Sequence, residues 1–394
     1  MASIYENAFV TIAAAWSENS NGGCFSHTLD KYKVHRLRTS GMYARREPPE
    51  FAAAPNDDSV HTAELSPLLT RGWVYQERML SLRVIYYGKN YIYWECNSTF
   101  SSNDGRATLD LKALRGTFSP KNHSWFNNPS GLRRYGFEVR IPIKFRDGFW
   151  LDWQRIVEGY TTMNFTYSRD ILPALAGIVE RQLRYQKDDV YVAGMWKNSL
   201  LRDLTFHSDD RPHLDNRNPS WSWARISGPM TFLPMQHELS TLKLLDMSFT
   251  RTGPETIGEV TNACIRLEGP TFSVRMNDKG YLEVDRNTPE HYFVTVRVLG
   301  YQKYYEVWNI KLGDVLTVLV LSYLREGRIR WSPGILLKQC IGGKFERVAA
   351  VIITYSHNDR QENGPYDDDI YNHKNKQYMG KFVSLLLRST LEII

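Results

Sequence analysis

The chain has 394 residues, 42% hydrophobic and 23% charged, with a formal net charge of +6. That length suits two packed units with a sizeable core, and that composition excludes overall disorder. The excess of 49 Lys and Arg over 43 Asp and Glu is too mild to define a nucleic-acid binder by itself.

In chain order, Ile4, Tyr5, Ala8 and Phe9 fall at helical spacing, and residues 10–15 are small and apolar like a buried strand. Residues 26–66, rich in charges and prolines, read as loop. Trp73, Tyr75, Gln76, Glu77 and Met79 suit a short helix. A strand is expected at 83–87, a turn at Gly88-Lys89-Asn90 and a partner strand at 91–96. Residues 97–149 read as an irregular loop or insertion.

The period then turns helical, with Trp153, Ile156, Val157 and Tyr160 at i, i+3, i+4 and i+7. A second helix is expected near Asp170, with Pro173 in its first turn. A third is expected after Asp188-Asp189, showing Val192, Met195, Trp196, Ser199 and Leu200 on one face. Beyond residue 220 the chain reads as β, with strands at 264–268, 271–276, 281–284, 292–299, 315–323, 329–338 and 345–354. Gly269-Pro270, Pro333-Gly334 and Gly342-Gly343 are expected as breaks, and the spacing predicts an antiparallel sandwich or open barrel. The fold class expected is α+β.

The chain lacks the nucleophile elbow, the phosphate loop, the dinucleotide glycines and the His-Glu-x-x-His zinc motif. Glu77 lies between Arg71 and Arg78. It reads either as a catalytic carboxylate or as the partner of an arginine that locks the helix onto the hairpin. In Trp94-Glu95-Cys96, alternation sends Trp94 and Cys96 to one face and Glu95 to the other. Pro219-Ser220-Trp221-Ser222-Trp223 reads as extended, with Trp221 and Trp223 sharing a face. They would be either a plug between the helical and β units or a ligand-stacking platform. The 11 Trp and 23 Tyr leave the same choice for the chain at large, an aromatic core or a recognition surface.

His207 and His213 flank Asp209-Asp210, and Asp367-Asp368-Asp369 precedes His373. Both read as solvated loops, so no metal or cofactor is expected. Basic residues gather at 31–46 and 133–146 without a nucleic-acid-binding module, and neither nucleic acid nor a membrane span is expected. Four scattered cysteines and an opening without a basic-then-apolar leader predict reduced thiols and a cytoplasmic location.

The order of these segments resembles fungal heterokaryon-incompatibility (HET) proteins. Ile4-Tyr5-x-Asn7-Ala8-x-Val10-Thr11-Ile12-Ala13-Ala14 is similar to the last helix and strand of the HET domain. Thr70-Arg71-Gly72-Trp73-x-x-Gln76-Glu77-Arg78, then Tyr93-Trp94-Glu95-Cys96, resembles the segment that follows. Asp170-x-Leu172-Pro173-Ala174-Leu175-Ala176-Gly177-Ile178, Tyr191-x-Ala193-Gly194-x-Trp196 and Ser220-Trp221-Ser222-Trp223 continue in the same order. The resemblance implies non-self recognition through protein partners, ending in programmed cell death. It also implies a distant relation to TIR domains, some of which cleave NAD, as the alternative activity.

The family's opening Ser-Tyr-x-Trp-Gly and Asp-Ala-x-Cys-Ile-x-Gln patterns do not occur, so the expectation is a chain truncated within the HET domain, with that activity lost. The expected organisation is a HET portion with helix and hairpin over 1–100, an insertion over 101–150, a helical region over 151–215 and a β-rich domain over 216–394. The family-motif residues Arg71, Gly72, Trp73, Gln76, Glu77, Arg78, Trp94, Glu95, Cys96, Trp221 and Trp223 are expected to be structural, with Glu77 the one catalytic candidate.

Overall fold

The alternation at residues 83–96 becomes the centre of a mixed sheet. A computed structural model describes residues 2–25, 30, 33–37, 41–45, 67–96, 99–103, 108–110, 149–210, 213–233, 235, 237–252, 259–277, 279, 281–284, 292–300, 304–326, 329–357, 383 and 386–394. The basic run at 133–146 and the Asp367–Asp369 loop with His373 lie outside the described residues. The chain divides into two units, residues 1–152 with 162–185, and 153–161 with 186–394.

In the first unit, helix α1 (Ala2–Asn7) leads into strand β1 (Thr11–Ala13). A small ribbon of β2 (His35–Arg36) and β3 (Tyr43–Ala44) follows. Helix α2 (Gly72–Leu80) precedes the hairpin of β4 (Arg83–Tyr87) and β5 (Ile92–Cys96). Two further strands, β6 (Thr99–Ser102) and β7 (Thr108–Asp110), extend the hairpin across part of the expected irregular stretch. The sheet order is β1-β4-β5-β6-β7, and only the β1–β4 pairing is parallel. One face buries Ala13, Val84, Tyr86 and Tyr93, with Leu68 and Leu69 packed against this cluster. Helix α3 (Phe149–Thr161) comes next in the chain. It is followed by 3₁₀ turns at Ser168–Asp170 and Pro173–Leu175, and by helix α4 (Ala176–Tyr185). The proline-led turn explains why α4 starts later than the apolar spacing near Asp170 suggests: Pro173 sits at the first position of the short turn and Ala176 opens the helix proper.

The second unit opens with the buried face of α3, where Trp153, Ile156, Val157 and Tyr160 are all enclosed, as their spacing predicts. The helix expected after Asp188-Asp189 is instead a hairpin, β8 (Tyr191–Val192) and β9 (Met195–Trp196). Helix begins only at α5 (Leu200–Asp203). Ala193 and Gly194 both have positive φ (48° and 88°), which a helix cannot contain. Strand β10 (Phe206–His207) then pairs with β11 (Thr231–Phe232).

The remaining strands are β12 (His237–Glu238), β13 (Lys243–Arg251), β14 (Val260–Met276), β15 (Leu282–Val284) and β16 (Tyr292–Val298). After helix α6 (Tyr304–Val307) come β17 (Val315–Val320), β18 (Ser322–Glu326), β19 (Ile329–Gln339), β20 (Phe345–His357) and β21 (Leu387–Ile393). Five of them close a ring: β14 pairs with β17, β17 with β19, β19 with β20, β20 with β21 in parallel, and β21 with β14. In place of the antiparallel sandwich or open barrel expected from the spacing, these strands form a closed barrel with one parallel pairing.

Two of the expected breaks lie inside long strands. Gly269-Pro270 is mid-strand in β14, which pairs with β13 before that point and with β17 after it. A Cβ at Gly269 would stand 2.8 Å from Leu319 and 2.9 Å from Leu242. Gly334 in β19 is as tightly enclosed, 2.8 Å from the Leu319 carbonyl oxygen, where the strand passes from β18 to β17. Gly and Pro here mark corners of a closing sheet rather than its ends.

Candidate functional site

Helix α2 carries five of the family-motif residues, Gly72, Trp73, Gln76, Glu77 and Arg78. Gly72 donates its N–H to the Asn164 carbonyl (3.0 Å), and a Cβ there would fall 2.0 Å from the Phe165 ring. The Trp73 indole donates to Asp170 (3.2 Å). Gln76, 2% exposed, accepts the Gly177 N–H at the start of α4, and Arg181 reaches the Met79 carbonyl (3.4 Å). Motif residues near 71–78 and near 170–181 thus meet in one unit.

The ion pair that fastens α2 to the hairpin is Arg78 with Glu95: Arg78 Nε donates to Glu95 Oε2 at 3.1 Å. Glu95 is 1% exposed and also accepts the Tyr86 hydroxyl, while Arg78 lies 5.9 Å from the centre of the Tyr86 ring. A buried carboxylate is tolerable with such a set, a cation and a hydroxyl on one oxygen. Trp94 and Cys96 point to the opposite, half-buried face of β5. Cys96 forms no disulfide with a described cysteine.

Glu77 is half-buried, and its carboxyl bonds the Tyr5 hydroxyl of α1. Burial raises the Glu77 pKa, against the lowering effects of Tyr5 and of the Arg71 charge. The same contact, after burial, holds the Tyr5 phenol up at about 12. The Glu77 carbonyl accepts the Ser81 hydroxyl (2.8 Å), which also bonds Thr11 Oγ1 (2.7 Å). Tyr5, Tyr86, Asn164 and Phe165 were not among the residues that sequence reasoning singled out for a site. The partners of Tyr5, Asn164 and Phe165 lie roughly 70 to 100 residues away in the chain, and Tyr86 reaches Glu95 across the β4–β5 hairpin.

In the second unit the Ser-Trp-Ser-Trp element is a turn running into a 3₁₀ helix (Trp223–Arg225), not an extended segment. Ser222 makes the difference: its hydroxyl accepts the Ala224 N–H (3.0 Å) and donates to the Ala193 carbonyl. Trp223 Nε1 (2.7 Å) and Trp153 Nε1 (3.1 Å) share the Gly194 carbonyl. The two carbonyls of the positive-φ turn are thereby taken up by the motif. Ser220 accepts the Arg347 N–H (2.9 Å), and its own N–H and hydroxyl both donate to the Ile394 carbonyl. Trp221 and Trp223 are both fully buried, so neither ring is presented to solvent.

His207 and His213 join no metal cluster; among the described residues no group of three His, Cys, Asp or Glu side chains is placed to hold an ion. No described helix is long and apolar enough to cross a membrane.

The two units together make an α+β protein, one with a small mixed sheet and one with a closed β-barrel. Residues 1–77 match the family model described as Heterokaryon incompatibility protein (HET), so the chain carries a HET segment running from α1 through β1 into α2. No curated protein sequence matches the chain. No solved structure matches it either.

Proposed function

We propose that the chain is a fungal non-self recognition protein of the heterokaryon-incompatibility type, cytoplasmic, linked to programmed cell death and acting through protein contacts. The HET match over residues 1–77 is the observation that carries this reading. The motifs beyond that match support it by their order. Contact rather than catalysis is favoured by how the motif side chains are used. Gln76, Arg78, Glu95, Ser220, Ser222 and Trp223 are each engaged in an interior hydrogen bond or ion pair. The one catalytic candidate, Glu77, is occupied by Tyr5.

Induced expression in filamentous-fungal strains of differing incompatibility genotype tests the proposal. Growth arrest and vital-dye uptake in some genotypes and not others are expected. Uniform healthy growth at verified protein levels would dispose of it. NAD consumption by the purified chain, lost in Glu77→Gln, would replace it with the enzymatic reading.

A further inference from the structure

Part of the basic run at 31–46, which reads as loop in the sequence, is paired as the β2–β3 ribbon. His35 pairs with Ala44 and Arg36 with Tyr43. The Leu37 N–H donates to the Met42 carbonyl (2.9 Å), so the pairing continues one step further towards the turn. Side chains alternate along a strand, so Leu37, Met42, His35 and Ala44 share one face, with Arg36 and Tyr43 on the other. Both faces meet water: residues 33–37 and 41–44 are all exposed. Met42 is 59% exposed, Tyr43 66%, Val34 57% and Leu37 44%. So many large apolar side chains held out of any core on one small ribbon mark a surface with a partner.

The charge is as concentrated as the apolar area. From Lys31 to Arg46 the sequence carries six Lys and Arg, with His35, and no Asp or Glu. Six is also the excess of basic over acidic residues in the whole chain, 49 against 43, so the rest of the chain is balanced. Lys33 pairs with Asp30, but both are exposed, and such a pair is weak in water. Arg45 lies over the buried Tyr91 ring, 4.9 Å from its centre, and ties the ribbon to the core of its unit.

We propose that the β2–β3 ribbon docks on an anionic lipid bilayer. Leu37 and Met42 enter the boundary between headgroups and acyl chains, and the Lys and Arg side chains meet the anionic headgroups. Interleaved cationic and apolar side chains suit a partner that is anionic at its surface and hydrocarbon beneath. Nucleic acid would satisfy the cations alone, because Val34, Leu37 and Met42 gain nothing against phosphate.

The test is co-sedimentation of the full chain with vesicles of equal parts phosphatidylserine and phosphatidylcholine, against phosphatidylcholine alone. Binding to the anionic vesicles that falls with added salt is expected. Arg36→Gln should weaken it about fivefold, the effect of one cation at such a surface. Leu37→Ser with Met42→Ser should weaken it at least about tenfold, with the melting curve unchanged because both side chains are exposed. Hydrogen exchange on the unmodified chain gives a readout independent of the variants: amides in 33–45 should exchange more slowly on the anionic vesicles. Equal binding to the two kinds of vesicle, variants that bind as the wild type does, or unchanged exchange in 33–45 would overturn the proposal. Duplex DNA binding that Arg36→Gln weakens and the double serine variant leaves intact, with no binding to vesicles, would overturn it in favour of nucleic acid.

Discussion

Replacing Asp203 with Asn should make the second unit more stable in alkaline solution and leave it nearly unchanged in acid. Asp203 closes α5 with no exposed surface. Among the described residues its carboxyl bonds two neutral groups, the Ser199 hydroxyl (2.6 Å) and the Gln154 amide of α3 (3.0 Å). Burial pushes its pKa up to about 7 from an ordinary 3.8. The two hydrogen bonds and the nearby Arg202 charge oppose the rise, and Asp189 adds to it. The folded state therefore binds the proton more tightly than the unfolded chain. The resulting stability is fully present below about pH 4 and is lost as pH rises towards about 7, on the order of 4 kcal/mol in all. Between about pH 5 and about pH 8.5, roughly 3 kcal/mol of that should disappear.

For a unit of this size the loss corresponds to a fall of ~5–10 °C in Tm relative to Asp203→Asn. Thermal melts of both proteins at the two pH values, followed by tryptophan fluorescence, measure it. Parallel pH curves for wild type and variant would refute the reasoning, because the burial of Asp203 would then carry no proton linkage.

Gly72→Ala should destabilise the first unit by about 2–3 kcal/mol through overpacking against Phe165, seen as a lower Tm. Glu95→Gln removes the negative partner of Arg78 and should cost about 3 kcal/mol by chemical denaturation, because Arg78 is left little exposed without its counter-charge. Ala193→Gly should stabilise the second unit by ~0.5–1 kcal/mol, since a non-glycine residue at φ 48° is strained. Gly194→Ala should destabilise it by more than that, about 2 kcal/mol, because its Cβ would stand 2.8 Å from Trp223 Nε1.

The sequence discloses the elements whose causes are local. Alternation around Val84, Tyr86 and Tyr93 locates the β4–β5 hairpin, and the spacing of Trp153, Ile156, Val157 and Tyr160 locates the buried face of α3. It misleads where distant groups decide the backbone. Val192, Met195, Trp196 and Leu200 satisfy helical spacing, yet the chain turns at Ala193-Gly194 because Ser222, Trp153 and Trp223 take up that turn's carbonyls. Pro219 and the alternating tryptophans suggest an extended strand, yet Ser222 caps a 3₁₀ turn. The closure of the barrel by β21 pairing with both β14 and β20 is invisible locally, since those partners lie far apart in sequence. Around the motif, Arg78 and Glu95 are evident as charged residues. Their pairing, and the turning of Glu77 to Tyr5, depend on how α1, α2 and β5 pack.

The most direct test of the account compares Glu77→Gln with Glu95→Gln in the fungal growth-arrest assay, with protein levels matched. If recognition depends on the folded shape of the HET-bearing unit, Glu77→Gln should arrest growth as the wild type does, and Glu95→Gln should fail to. Loss of arrest in Glu77→Gln, with its melting curve unchanged, would contradict the account and place the chemistry on that carboxylate.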